Sequence, residues 1–275
     1  MLLKEYEKLV SSPQKAEKFL LKHCWPNYQR FCPQCHFRKV QKLDSKRKCK
    51  RCGFVFTDFS QRYLDCVRLS PDNWLRMVKL FEIEVSPDNI ALQLNLSYNT
   101  VRKALTIIRL AILANSLDGP LLLSLFPLKE LISAKKNPQL KKIPILGIIE
   151  EAGHIFVDFL PEFGVDSFIH LKQNFCLPSK KIGQIIYTAP VKQYLSLLLY
   201  DQGISKKFNL SHKGENLTLD GNKSFWPFVK KRLQNFKTTS SLVFLLYFKE
   251  LEFRYNYRQK DFFVTLVRYL SNFIK

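Results

Sequence analysis

The sequence predicts a multidomain chain of mixed helix and strand, and three observations predict it. Two C-x-x-C knuckles, Cys32-Pro33-Gln34-Cys35 and Cys49-Lys50-Arg51-Cys52, lie within residues 1–60. Residues 61 to about 116 place apolar side chains at helical spacing, and from about residue 120 strand-like and helical segments alternate. With 275 residues, 46% of them hydrophobic and 13% aromatic, the chain can bury a sizeable core in two or three small domains. Neither an internal repeat nor a low-complexity linker divides it. Ser70-Pro71-Asp72, Ser86-Pro87-Asp88 and Asp118-Gly119-Pro120 mark the breaks instead, and the expected domains are 1–60, 61–118 and 119–275.

The knuckles are separated by thirteen residues. A tight turn in each brings two thiolates together, and two such pairs complete the tetrahedral set that a structural zinc ion takes from Cys32, Cys35, Cys49 and Cys52. The competing readings are a redox pair, which needs only one knuckle, or buried free thiols. Cys24, Cys66 and Cys176 stand outside the scheme, and His23 and His36 are read as bystanders because four thiolates already satisfy the ion. A segment this small depends on the metal to fold. Between Arg30 and Arg51 nine Lys/Arg face a single acid, Asp44. Arg38, Lys39, Lys46, Arg47, Lys48, Lys50 and Arg51 are therefore candidate phosphate contacts.

In the second zone Ser86 caps a helix that starts at Pro87 and runs to about Leu94, with Ile90, Ala91 and Leu94 inward. Asn95-Leu96 is a short turn. Ser97 then caps a helix from Tyr98 to about Ile112, in which Val101, Leu105 and Ile108 recur at helical spacing. A preceding helix, Asp72–Phe81, supplies a third wall through Trp74, Leu75 and Val78. The pair has the form of a helix-turn-helix, although helical hairpins that serve packing alone share it. As a DNA reader it would present Tyr98, Asn99, Thr100, Arg102 and Lys103, with Asn and Arg suited to base edges and Lys103 to phosphate.

The third zone opens on a hairpin, Ile143–Ile149 and His154–Phe159 around Glu151-Ala152-Gly153. The pattern then predicts a helix at Ser167–Asn174, a strand at Ile185–Thr188, a helix at Val191–Tyr200 and a strand at Lys207–Leu210. Helices Lys223–Phe236, Ser240–Tyr257 and Phe262–Phe273 close the chain, so this zone reads as an α/β domain with a central sheet.

Taken in order, Trp25-Pro26, the two knuckles, Trp74 before the helix pair, Ile143-Pro144-Ile145-Leu146-Gly147, Ser224-Phe225-Trp226 with Lys230-Lys231-Arg232-Leu233, and Glu252-Phe253-Arg254-Tyr255-Asn256-Tyr257-Arg258 resemble the ISXO-like insertion-sequence transposases and their eukaryotic Merlin relatives. The resemblance spans roughly residues 25 to 270, and its terminal Phe-Arg-Tyr-Asn-x-Arg motif is the most specific part. It implies that the third domain is RNase-H-like, the fold in which this family cuts and joins DNA ends with two divalent ions held by Asp, Asp and Glu. Carboxylates suit that task because hard Mg or Mn prefers charged oxygen ligands.

The matching positions here carry other residues. Lys129 in Phe126-Pro127-Leu128-Lys129-Glu130 stands at the first Asp, Ala189 in Thr188-Ala189-Pro190 at the second, and Lys223 before Ser224-Phe225-Trp226 at the Glu. Thr218-Leu219-Asp220 replaces the family's His-x-Asn, while Ser211-His212 does match. Glu130 would point to the opposite strand face from Lys129. A lysine ammonium about 4 Å from a divalent ion meets a repulsion of roughly 8 kcal/mol at an effective dielectric of 20. Structural zinc is thus expected, and Mg or Mn only if the nuclease site proves active. The expectation is a DNA-binding protein descended from such a transposase, which holds DNA without cutting it. Two alternatives stand beside it: an active transposase whose acids lie in another register, and a structural or dimerisation subunit of a DNA–protein assembly.

Charge bears on the partner. Lys+Arg 44 against Asp+Glu 23 leaves +21, a surplus matched to a polyanion such as double-stranded DNA, with a homodimer or a partner transposase as the protein contact. A membrane is not expected, since no stretch supplies the roughly 18 apolar residues of a spanning helix. Met1-Leu2-Leu3-Lys4-Glu5 lacks an apolar leader core, and seven cysteines is odd for a disulfide framework. An intracellular setting with reduced cysteines is expected, cytoplasm or nucleoid in a bacterium and nucleus in a eukaryote.

Overall fold

The computed structural model describes residues 1–116, 119–120, 123, 145–151, 154–160, 188–189, 192–193, 196–201, 204–205, 225, 228–229, 232 and 241–274. Its helices in chain order are α1 (Leu3–Leu9), α2 (Pro13–Cys24), α3 (Pro71–Glu82), α4 (Pro87–Leu94), α5 (Tyr98–Ala114), α6 (Ser241–Asn256) and α7 (Phe262–Leu270). The strands are β1 (Val40–Leu43), β2 (Lys46–Cys49), β3 (Val55–Phe56), β4 (Ile145–Glu151), β5 (His154–Leu160), β6 (Thr188–Ala189), β7 (Lys192–Gln193), β8 (Ser196–Asp201) and β9 (Ile204–Ser205). They form two compact units, Met1–Ser116 with Lys260–Lys275, and Leu117–Gln259.

Three helices of the first unit start at a Ser-Pro step: Ser12-Pro13, Ser70-Pro71 and Ser86-Pro87. Proline fixes φ for the first turn and gives up an N–H that the helix leaves unpaired anyway. The Ser12 and Ser86 hydroxyls then accept from the backbone N–H groups of Lys15 and Asn89. α4 ends at Asn95, whose left-handed backbone (φ 52) closes the helix with N–H bonds to Ala91 and Leu92, and Ser97 caps α5 two residues later. Leu96 is the single residue between the two caps.

The core of this unit lies where α3, α5 and α7 meet. Trp74, Leu75, Met77, Val78 and Phe81 of α3 are buried, and the Trp74 indole N–H donates to the Leu64 carbonyl at 3.1 Å. α5 buries Val101, Leu105 and Ile108, but also Ala104, Ile107 and Leu110 to Leu113. A helix apolar on more than one face needs cover on more than one side. α7 provides it, packing on α5, α3 and α2 through Phe262, Phe263, Leu266, Val267 and Leu270. This corrects the division expected from sequence, in which the last helix belonged with residues 119–275.

A single cation locks the base of the same unit. Arg62, 2% exposed, lies between the Trp25 ring (4.5 Å) and the Phe273 ring (3.8 Å). Its guanidinium donates to the Cys24 carbonyl at 2.6 Å and to the Ser271 carbonyl. Those carbonyls sit at the C-terminal ends of α2 and α7, where helix dipoles concentrate negative charge, so one buried cation satisfies two helix ends.

In the second unit β4 and β5 form the expected hairpin, with Glu151 opposite His154. The sheet order is β5-β4-β8-β9, antiparallel throughout, and β6 pairs with β7 separately. The helix predicted over Val191–Tyr200 is therefore replaced by strand β7 and most of β8. Its leucine-rich run satisfies either periodicity, and pairing of Ser196–Leu199 with β4 decides for strand. The segments expected at Ser167–Asn174 and Lys207–Leu210, and Ile185–Tyr187 of the expected strand, lie outside the described residues. Of the Lys223–Phe236 helix, positions 225, 228, 229 and 232 are described, and all are helical.

α6 runs beside β5, and its polar side chains hold the strand's outer edge. The Asn256 amide accepts from the Ile155 N–H (2.8 Å) and donates to the Ile155 carbonyl (2.7 Å). Two residues along, Glu252 accepts from the Val157 N–H (2.8 Å) while Lys249, paired with Glu252 at 2.9 Å, donates to the Val157 carbonyl. The geometry matches: two strand residues advance roughly 6.7 Å and four helix residues roughly 6 Å. The Phe-Arg-Tyr-Asn-x-Arg segment is thus a structural device. Arg254 pairs with buried Glu250 at 2.7 Å, Phe253 stacks on Tyr257 at 4.4 Å, and the Arg258 guanidinium lies 3.9 Å from the Tyr255 ring.

Candidate metal centre and basic face

The four cysteines converge. Their sulfurs all lie within 4.8 Å of one another, with Cys32 to Cys52 and Cys35 to Cys49 both at 3.6 Å. Zinc held at about 2.3 Å by four tetrahedral thiolates implies sulfur separations of about 3.8 Å, so the set fits the ion.

Two knuckles with one hydrogen-bond pattern produce this convergence. In the first, the His36 N–H donates to the Cys32 carbonyl and the Cys32 N–H to the Phe37 carbonyl, both at 2.9 Å. In the second, Gly53 donates to Cys49 at 3.1 Å and Cys49 to Phe54 at 2.9 Å. Each turn needs a left-handed residue after its second cysteine, His36 (φ 57) and Gly53 (φ 74). His36 is exposed and stays outside the sulfur cluster, as expected of a bystander. Its backbone role went unnoticed, yet the shared pattern Cys-x-x-Cys-x-Phe signals it.

Ionisation across the cluster is uneven. Burial raises the Cys49 thiol, but N–H groups of Cys52 and Arg51 and the neighbouring thiols outweigh it and bring it down to about 6. Cys52 receives a backbone hydrogen bond from Phe54 that favours ionisation, yet burial and the other three sulfurs push it up to about 12. The sulfurs oppose one another's charge, a conflict that a central divalent cation removes. Cys24 and Cys66 differ: burial pushes both thiols up, which favours the protonated form. Cys176 lies outside the described residues.

Around the cluster, β1, β2 and β3 form an antiparallel sheet closed by the two-residue turn Asp44-Ser45. Arg38, Lys39, Lys46, Lys48, Lys50 and Arg51 are exposed on it. Arg47 is not free for phosphate, which corrects its place in that set. It points inward, its Nε 2.5 Å and its terminal nitrogen 3.0 Å from the Asp58 carboxylate, which Arg30 also meets at 2.9 Å. Burial alone would raise the Asp58 carboxyl, but Arg47 and Arg30 outweigh it and hold it below the usual range. The Trp25 indole donates to the Asp58 carbonyl at 2.9 Å, so Asp58 ties the sheet to its support. Sequence reading missed Asp58 because its partners lie eleven and twenty-eight residues away.

At the start of α5, Tyr98, Asn99, Arg102 and Lys103 are exposed. Thr100 is half-buried, and its hydroxyl is engaged with Ser97 at 2.8 Å. Ala189 lies in β6, while Lys129 and Lys223 lie outside the described residues. No helix among the described residues is long and apolar enough to cross a membrane. No protein-family model, curated protein or solved structure matches this chain.

Proposed function

We propose that this chain is a duplex-DNA-binding protein built on the plan of an ISXO-like transposase, with a structural zinc ribbon and a helix-turn-helix. Cys32, Cys35, Cys49 and Cys52 would hold the zinc, whose contribution is to fold the ribbon. The observation that carries the reading is the pairing of this four-sulfur cluster with seven exposed lysines and arginines between residues 38 and 51. Exposed lysines and arginines of the ribbon neutralise phosphates, and the start of α5 presents Asn99 and Arg102 to base edges, with Tyr98 and Lys103 beside them. The third domain is RNase-H-like in this reading. Lys129, Ala189 and Lys223 in place of Asp, Asp and Glu leave it without ligands for paired divalent ions, so the protein holds DNA without strand transfer. A homodimer or a partner transposase would supply its protein contact.

Fluorescence anisotropy on a 25-base-pair duplex across a salt series tests this. The expected log–log slope is several units, about 0.9 per phosphate neutralised, and a flat response would sink the reading. Incubation with candidate terminal-repeat DNA and Mg or Mn is expected to leave the strands intact. Nicking or joining would replace the binding-only reading with an active transposase.

A further inference from the structure

We infer that the outward face of the ribbon sheet reads base edges in the major groove of duplex DNA, beyond holding phosphates; this deepens the DNA-binding reading and rests on it. Residues directly opposite one another in a sheet share a face, and successive residues alternate between faces. The register sets Gln41 opposite Lys48, Lys48 opposite Val55, and Leu43 opposite Lys46. These five side chains share one face, and all five are exposed, Leu43 to 40% and Val55 to 45%. The opposite face carries buried Cys49 and Phe56 and the Asp58-bound Arg47.

A surface that only neutralises phosphates requires cations alone. This one interleaves lysines with an amide and two branched apolar groups, the side-chain types that major-groove edges take. A glutamine amide pairs with N6 and N7 of adenine and apolar groups meet the thymine methyl, while Lys46 and Lys48 beside them neutralise the phosphates that flank the groove. Shape agrees with chemistry. At Leu43 and Lys46 the sheet is two strands wide, about 5 Å between backbones, and the major groove is about 12 Å wide. Seven cations are exposed between residues 38 and 51 against exposed Asp44 at the turn, which fits a polyanion flanking the edges being read.

The experiment uses the full-length zinc-loaded chain and a pool of random 25-base-pair duplexes, with bound molecules sequenced and affinities measured on an enriched and a scrambled duplex. Gln41→Ala and Leu43→Ser are expected to weaken the enriched duplex about tenfold, to flatten preference at one or two base pairs, and to leave the scrambled duplex and the salt slope unchanged. Replacing Lys46 and Lys48 together by glutamine is expected to weaken both duplexes and to lower the salt slope by about 2. Zinc content of about one per chain in each variant certifies the fold. If preference survives Gln41→Ala and Leu43→Ser, or both duplexes weaken equally, base reading by this face is wrong while DNA binding stands. Tighter binding to single strands or RNA of the same sequence likewise overturns it. Failure of the zinc-loaded protein to bind any duplex overturns both this inference and the function on which it rests.

Discussion

The ribbon and the α3–α5–α7 core reach order by opposite routes. α5 alone buries nine side chains, whereas the ribbon strands β1 to β3 bury only Cys49 and Phe56. The core is held by apolar area, and its buried cation, Arg62, is met by two carbonyls and two aromatic rings. A segment that does not depend on apolar burial can dedicate its surface to charge, and the ribbon exposes seven cations between residues 38 and 51. In the proposed reading, metal binding and cationic density are one design: thiolates on a metal would replace a core, which frees the side chains that a core would have claimed.

Chelation breaks the contrast most sharply. Structural zinc contributes on the order of 10 kcal/mol or more in small ribbons, so a strong chelator is expected to make residues 31–56 protease-sensitive while α3 and α5 stay protected. Limited proteolysis with mass spectrometry reads this, and equal protection throughout would contradict it. Trp74→Ala strikes the other side. It is expected to cost about 4 kcal/mol in urea unfolding followed by ellipticity, with zinc still bound at one per chain. Asp58→Asn probes the joint between the two, at about 2 kcal/mol at neutral pH. Because the folded carboxyl is held below its unfolded value, its contribution is present above the unfolded pKa of about 3.9. It is lost as pH falls through the lower folded value, so acid titration should bring wild type and variant together there, and a constant gap would refute the assignment.

Local chemistry was legible in the sequence wherever partners lie close along it. Cysteine spacing predicted the sulfur cluster, and Ser-Pro steps and Ser97 predicted the starts of α3, α4 and α5 within a residue. Long-range choices were not legible. Whether Arg47 faces phosphate or Asp58 depends on strand register, and whether Ser196–Leu199 coils or extends depends on β4. The reading of α5 from Val101, Leu105 and Ile108 passed over the apolar run Leu110–Leu113, whose cover α7 supplies from far along the chain. The family-like motif around Asn256 was visible as a pattern, and its role in holding β5 emerged only from three dimensions.

Arg62 has a consequence for synthesis. Chains emerge N-terminus first, and domains ordinarily close as soon as their residues leave the ribosome. Here the guanidinium finds its second carbonyl at Ser271 and its second aromatic face at Phe273, more than two hundred residues later. The unit that carries the ribbon and the helix pair thus stays unlatched until the intervening residues 117–259 have been made. A product cut short before α7 would display its cations without a closed scaffold, so in the proposed reading synthesis through α7 is a condition for binding DNA.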